Sequence, residues 1–235
     1  MLALAALAVP RFSRRPSAPP VRIPSPLQAA LLWLFAMVLA FAAGIAVNVA
    51  ATAIAIGTGL PIARAIALLS DPKSSPLVTS PTWISISVLA SEAVLALLIW
   101  RFLRRHRVFL HEVAPLGVPS LRDLFGALLC VFGLAPLSGL VAELVGRAIP
   151  RELNAEKMVL GLTKGVTAAE LVGVVLATAV VPAIVEELLF RGVLTRAFLG
   201  RGNLLALAVP SAMFGIFHLE PTQVAGTFVL GFGFG

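Results

Sequence analysis

The sequence predicts an all-α integral membrane protein, a polytopic bundle with five full transmembrane helices and an incomplete sixth. Composition is the first reason: 59% of the 235 residues are hydrophobic and 12% are charged, whereas soluble domains average about 45–50% apolar and about 25% charged residues. The mean hydropathy is +1.01. The apolar residues also lie in runs long enough to cross a bilayer, which takes about 20 residues per helix. Segments rich in proline, serine or arginine separate these runs.

The elements follow in a simple order along the chain. Residues 1–26 place a short apolar stretch before their arginines, the reverse of a signal peptide, so we expect a disordered cytoplasmic basic tail. Residues 27–120 form an N-terminal region of transmembrane helices and loops, and residues 121–235 hold the remaining spans. The predicted apolar segments are 27–56, 83–100, 124–145, 169–190, 203–219 and the shorter 222–235. The predicted connections are 57–82, 101–122, 146–168 and 191–202.

The second span is bounded by Trp83 and Trp100, about 26 Å apart on a helix, as expected for side chains at the two membrane interfaces. Glu92 lies near its middle. Its carboxyl group either turns into the bundle, protonated or hydrogen-bonded, or takes part in handling a substrate or protons. His106 and His111 stand in a basic segment at a spacing that does not resemble a metal site, so we expect a solvated or lipid-headgroup face.

The net charge of +7 does not indicate a nucleic-acid partner, because the basic residues lie beside the apolar runs rather than on one soluble face. With the N-terminus inside, the inner segments hold twelve Lys and Arg residues and the outer loops hold six. This count predicts a cytoplasmic N-terminus. Membrane lipids are therefore expected partners. The single cysteine, Cys130, cannot form an intrachain disulfide.

Two adjacent carboxylates, Glu186 and Glu187, stand at the end of the fourth apolar run, and Arg191 follows. A charge inside a bilayer costs at least about 2.5 kcal/mol, so these residues are candidates for a functional site. On a helix, Glu187 and Arg191 share a face, and the arginine can neutralise that carboxylate. Glu186 is rotated by about 100° and is left to face a cavity in the bundle. Pro182 removes a backbone N–H, which favours a kink or a polar opening.

The next apolar run carries Phe214 and His218 on one helical face. An imidazole can act as a general acid or base near neutral pH, or bind a metal. The fifth span runs outward from the membrane face at which the fourth ends, so simple depth would separate His218 from Glu186. The two can meet if the fifth helix is short, re-entrant or bent at Pro210, or if a deep water-filled cavity lies between the helices.

The Glu-Glu-x-x-x-Arg sequence at 186–191, followed on the next apolar run by Phe-x-x-x-His at 214–218, resembles the CPBP (CAAX-protease and bacteriocin-processing) family. The resemblance covers roughly residues 125–235 and makes 121–235 the protease core. It implies an intramembrane endopeptidase related to the CAAX prenyl endopeptidase, in a bacterial plasma membrane. Its substrates would be membrane-associated, lipidated or secreted peptides, in CAAX-type processing or in bacteriocin processing and immunity. The candidate catalytic residues are then Glu186, Glu187, Arg191 and His218, with Phe214 in support.

Peptide hydrolysis needs an activated water, a stabiliser for the oxyanion and an acid for the leaving amine. Glu186 is suited to be the base, since partial burial makes a carboxylate a better proton acceptor. His218 would help hold the water or a metal. Glu186 and His218 could bind a divalent metal such as zinc, but catalytic zinc usually has three protein ligands. The resemblance allows both a metal-dependent and a glutamate-dependent mechanism, and the sequence favours neither.

Members of the family also carry a later helix with a further histidine and, four residues on, an asparagine or similar residue. The chain stops at Gly235 before such a motif. We therefore expect a C-terminally truncated polypeptide that inserts into membranes without hydrolysing peptides. Two alternatives stay open, a catalytically inactive membrane scaffold or peptide-binding protein, and a proton-coupled transporter that uses Glu92, Glu186 and Glu187 as relays.

Overall fold

The computed structural model describes residues 24–65, 80–114, 120–148, 166–219 and 221–234. Within these ranges all regular structure is helical, which confirms the all-α class. The predicted disordered tail falls mainly on residues 1–23, outside the described residues, as do most of the connections predicted at 57–82 and 146–168.

The helices are named in chain order, and the fifth is one continuous helical run. They are α1 (Pro26–Gly57), α2 (Pro81–His106), α3 (Leu110–Val113), α4 (Leu121–Ala148), α5 (Ala168–Arg201), α6 (Asn203–Phe217) and α7 (Pro221–Phe234).

Four helices of the described residues, α1, α2, α4 and α5, are long and apolar enough to cross a membrane. These helices identify an integral membrane protein. The fifth predicted span corresponds to α6, which has 15 residues and reaches only about 22 Å, short of a hydrocarbon core of about 30 Å. Among the described residues α6 thus counts as a shorter apolar helix beside the four long ones, and its crossing of the membrane as a fifth full span stays a prediction. A short fifth helix is one of the arrangements under which His218 need not lie at the far membrane face.

Two helices continue through arginines that the sequence analysis assigned to connections. Arg101, Arg104 and Arg105 lie on the last turns of α2, which ends at His106. The connection predicted at 191–202 is also wrong, because α5 runs on to Arg201. Arginine is a good helix former, and a cation near a helix C-terminus interacts favourably with the helix dipole. Its long side chain also carries the charge toward the interface while the backbone stays helical.

The described residues fall into two compact units, and the division passes through α2 and α5. Of the described residues, the first unit contains 27–65, 80–102 and 166–189, and the second contains 24–26, 103–114, 120–148, 190–219 and 221–234.

In the first unit, α1 and α2 pack closely through small and polar residues. The Ser91 hydroxyl donates to the Ala40 carbonyl at 2.9 Å, and the Ser87 hydroxyl donates to the Gly44 carbonyl at 3.3 Å. A Cβ atom at Gly44 would lie 3.2 Å from the Ser91 Oγ. Hydroxyl-to-backbone bonds and small residues are how helices approach closely in a membrane, where apolar burial does not by itself drive their association.

In the second unit, α7 packs against both α4 and α6. The Ser138 hydroxyl of α4 donates to the Gly226 carbonyl of α7 at 2.9 Å. On the other side, a Cβ atom at Gly231 of α7 would lie 3.3 Å from Ser211 of α6. This packing holds α6, the helix that carries Phe214 and ends next to His218.

Candidate functional site

The glutamate pair lies in the interior of α5 rather than at its end. Glu186 is 18 residues from the first residue of α5 and 15 from the last, since the helix runs from Ala168 to Arg201. The expectation that Glu186 and Glu187 stand at the end of their helix is therefore wrong, because α5 continues through the arginines that follow them. The carboxylates stand deeper in the helical run than the hydropathy pattern suggested.

Two π-helical segments, Leu176–Val180 and Leu188–Thr195, flank the α-helical segment Val181–Glu187 that carries both glutamates. Pro182 lies in the first turn of this α-helical segment. Just before it, the Val181 N–H donates to the Leu176 carbonyl, five residues back. Because Pro182 has no N–H, it cannot continue the regular ladder to the carbonyl of Thr178. The structure thus shows a local widening of the helix before Pro182, a feature frequent at functional sites, and the kink or polar opening stays a prediction.

Glu186 and Glu187 differ in exposure, as their predicted rotation requires. Glu186 is half-buried and Glu187 is exposed. Val185 and Leu189, on either side of the pair, are buried. Glu186 is therefore the carboxyl group more withdrawn from the surroundings of the helix.

Arg191 is half-buried and lies in the second π-helical segment. In that segment residues five apart become neighbours, and the Thr195 hydroxyl donates to the Phe190 carbonyl at 2.9 Å. The predicted pair of Glu187 and Arg191 assumed α-helical spacing of four residues. The α-helical segment ends at Glu187 and Arg191 lies in the π-helical segment that follows, so the ion pair of these two residues stays a prediction.

His218 follows the last residue of α6, and its ring is oriented by Phe214. The two ring centroids are 5.0 Å apart in an edge-to-face arrangement. The Nδ1 atom of His218 lies 3.0 Å from the Phe214 carbonyl oxygen. A carbonyl oxygen can only accept, so Nδ1 carries the proton in this bond, and in the neutral ring Nε2 is left as an acceptor. The imidazole therefore offers Nε2 to a water proton or a metal. The backbone then turns at Leu219, whose φ is 59°.

Phe190, next to Arg191, connects α5 with α6 inside the second unit. Its side chain is 5% exposed. Its ring lies 4.9 Å from the Phe214 ring and 5.8 Å from the Phe217 ring, both edge-to-face. Neither Phe190 nor Phe217 was predicted to have a role, although both lie inside the two motifs. Their spacing in those motifs was the signal that could have identified them.

The described geometry joins the two motifs through aromatic rings, and Glu186 and His218 belong to different units. The meeting of these two residues therefore stays a prediction. The roles of Glu186, Glu187, Arg191, His218 and Phe214 are likewise predictions.

Glu92 of α2 is a carboxyl group to which the sequence analysis gave no firm role. It lies in the same unit as Glu186. Glu92 is 7% exposed, and its buried Oε2 makes no hydrogen bond within the part of the chain that the structure describes. The signal in the sequence was its position in the middle of an apolar span.

The described residues contain no group of three or more His, Cys, Asp or Glu side chains placed to hold a metal ion. Glu186 and His218 alone do not complete the three-ligand set usual for catalytic zinc. The divalent metal stays a prediction, and no step below is routed through it.

Residues 168–235 match the family model described as Type II CAAX prenyl endopeptidase Rce1-like. The match covers α5, α6 and α7 and includes every candidate site residue proposed from the sequence. It confirms the family resemblance seen in the two motifs. No curated protein and no solved structure gives a significant match.

Proposed function

We propose, from the premise that residues 168–235 are Rce1-like, that this integral membrane protein is an intramembrane endopeptidase. Its substrates are membrane-associated peptides, either lipidated at a CAAX-type end or secreted and bacteriocin-like. The observation that carries the proposal is that the family match and both motifs fall on the same consecutive helices. Within them, the ring of Phe190 packs on the ring of Phe214.

Glu186 is the proposed general base. As the water oxygen forms a bond to the scissile carbonyl carbon, Glu186 accepts the water proton. The carbon–nitrogen bond then breaks, and the proton passes from Glu186 to the leaving amine. A half-buried carboxylate in an apolar helix is suited to this exchange, because it is poorly stabilised by solvent in its charged form.

His218 is proposed to hold the water through Nε2, since its Nδ1–H is already committed to the Phe214 carbonyl. Phe214 thus supports the site through its backbone and its ring. Glu187 and Arg191 are proposed to support Glu186 by keeping the local charge balanced along α5. A bound divalent metal such as zinc, if Glu186 and His218 acquire a third ligand, would supply Lewis-acid activation of the water.

A proton-coupled transporter is the second candidate, and the burial of Glu92 in the same unit as Glu186 is the observation that favours it. An inactive scaffold that binds peptides is the third. Both predict that no peptide is cleaved, so a cleavage assay separates them from the endopeptidase.

The test compares this chain, and the same chain extended through the rest of its reading frame, each with its Glu186→Gln variant in proteoliposomes. Two membrane-anchored reporter peptides are offered, one prenylated at a CAAX-type end and one unmodified. The amide keeps the shape of the side chain but cannot accept the proton, so we expect cleavage to fall by about 10²–10⁴-fold. Glu143→Gln is the matched control. Glu143 lies on α4, where its exposed carboxylate forms an ion pair with Arg147. Near-native turnover by Glu186→Gln would contradict the assignment, and the absence of cleavage by every protein would favour the scaffold or the transporter.

A further inference from the structure

We propose that Phe190 is a positioning residue that orients the imidazole of His218 through the rings of Phe214 and Phe217. The proposal rests on the proposed function in taking His218 as the group that holds the water. All four side chains belong to the second unit, so their contacts lie inside one compact part of the chain.

Four rings form a closed cluster in which Phe214 and Phe217 each contact both Phe190 and His218. The ring centroid of Phe190 is 4.9 Å from that of Phe214 and 5.8 Å from that of Phe217. The centroid of the His218 ring is 5.0 Å from Phe214 and 6.5 Å from Phe217. All four pairs are edge-to-face, an arrangement that stabilises aromatic pairs beyond the burial of their surface. Phe190 therefore contacts the two phenylalanine rings that flank the imidazole.

The cluster joins two helices. Phe214 and Phe217 lie on α6 and His218 follows its last residue, whereas Phe190 lies in the second π-helical segment of α5. An imidazole packed against a neighbouring ring can still turn about its Cβ–Cγ bond, a broad torsion in histidine. A ring from another helix restricts this rotation by holding the flanking rings in place. The orientation of the imidazole is thus tied to the position of α5 beside α6.

Phe190 is itself firmly placed in α5. Its side chain is 5% exposed, and its carbonyl oxygen accepts a hydrogen bond from the Thr195 hydroxyl at 2.9 Å. Leu189 and Leu194 of the same π-helical segment are both 0% exposed. Leucine thus suffices for apolar burial in this segment, and burial alone does not require a ring at position 190. The ring contacts with α6 account for the residue type.

The orientation of the imidazole decides which of its nitrogens can receive the water. The Nδ1 atom of His218 lies 3.0 Å from the Phe214 carbonyl oxygen, which keeps the proton on Nδ1 and leaves Nε2 as an acceptor. A half-turn of the ring about the Cβ–Cγ bond would take Nδ1 away from that oxygen. The ring would then lose the hydrogen bond that selects its tautomer. By restricting this rotation, Phe190 keeps Nε2 available to accept a hydrogen bond from the water.

The first experiment measures the tautomer of His218 by nitrogen-15 NMR of the full chain, purified with labelled histidine. The chain has three histidines, and the His218 signal is the one that disappears in His218→Gln. At a pH where the ring is neutral, we expect the Nδ1–H form in the unsubstituted protein. Phe190→Leu keeps an apolar side chain but removes the ring. The ratio of the Nδ1–H to the Nε2–H form should then fall by about 2–10-fold, as for the loss of one hydrogen bond.

Phe232→Leu is the matched control for the tautomer. Phe232 stacks on Phe228 within α7, with ring centroids 6.2 Å apart, so the change removes a ring of the second unit outside the cluster. The control should keep the tautomer ratio of the unsubstituted protein. An unchanged ratio in Phe190→Leu, an equal fall in Phe232→Leu, or the Nε2–H form in the unsubstituted protein would overturn the proposal. If Phe190→Leu does not fold, Phe190→Met takes its place, since methionine adapts to irregular spaces.

The second experiment measures kcat and KM of the same variants with the same reporter peptides, in the form of the chain that cleaves them. Because the water is less precisely held in Phe190→Leu, we expect kcat to fall by about 10–100-fold. KM should change by less than about twofold, since the peptide keeps its contacts. An unchanged kcat in Phe190→Leu, or an equal loss in Phe232→Leu, would contradict the positioning role. If neither form of the chain cleaves a peptide, the proposed function fails, and the tautomer measurement still decides whether Phe190 orients His218.

Discussion

Single glycines set the distance between helices in the second unit. Gly215 of α6 faces α7 so closely that a Cβ atom on it would lie 2.7 Å from the Val224 carbonyl oxygen. That oxygen belongs to the backbone and cannot move aside as a flexible side chain could. Gly126 of α4, by contrast, has nothing within 4 Å of such an atom. The same residue type thus serves helix packing at one site and is dispensable at the other.

Gly215→Ala should destabilise the protein by about 1–3 kcal/mol, because the new methyl group forces α6 and α7 apart. Gly126→Ala should be neutral or stabilising by about 0.5–1 kcal/mol, since alanine is the better helix former. Thermal unfolding in the same detergent measures both. A Gly215→Ala protein as stable as Gly126→Ala would mean that α6 and α7 are not held at the described separation.

At the scale of elements, α5 departs from regular geometry where the functional candidates lie. One π-helical segment precedes the glutamates and a second follows them, and Pro182 stands at the junction of the first. Each residue of an α-helix adds about 100° of rotation, so a local widening decides which way Glu186 points relative to the start of α5. The orientation of the base is therefore a property of the whole element.

Pro182→Ala should restore an N–H for the Thr178 carbonyl and return the first π-helical segment to α-helix. The helix gains stability, because proline in a helix interior costs about 3 kcal/mol. The proposed base is rotated away, and we expect cleavage to fall by about 10²-fold. Pro136→Ala is the control, since Pro136 lies inside α4, a helix without candidate catalytic residues. Equal cleavage by the two variants would show that the widened turn does not orient Glu186.

At the scale of the whole molecule, orientation in the membrane rests on charge. Twelve Lys and Arg residues lie in the segments expected inside and six in those expected outside. Some of the inner arginines lie on the last turns of α2, where their side chains can reach the interface from a helical backbone. The charge count holds whether these residues are in loops or in helix ends. The proposed orientation is a cytoplasmic N-terminus.

Cysteine labelling in intact cells tests this orientation, in a Cys130→Ser background that removes the native thiol. Thr58 is exposed just after α1, and His111 is exposed just after α2. With the N-terminus inside, an impermeant reagent should modify Thr58→Cys in intact cells and His111→Cys only after permeabilisation. The opposite pattern would invert the topology.

The sequence by itself determined the helical class, the position of most helices and the residues that carry charge into the membrane. Apolar runs and their boundaries are local properties, so α1, α4 and α6 begin and end within a few residues of their predicted limits. The two motifs were likewise visible without coordinates. The extension of α5 through Arg191 could not be predicted from the sequence. A hydropathy pattern treats an arginine as the boundary of an apolar run even where the backbone stays helical.

Only the tertiary structure decided which of these groups act together. Glu92 and Glu186 are far apart in the chain, and only the fold brings the parts of α2 and α5 that carry them into one unit. The packing of Phe190 on Phe214 and the bond that leaves Nε2 of His218 as an acceptor depend in the same way on the arrangement of helices and side chains. Periodicity assigns a residue to a helix face, but a contact also requires the distance and rotation of a second helix, which no local pattern contains.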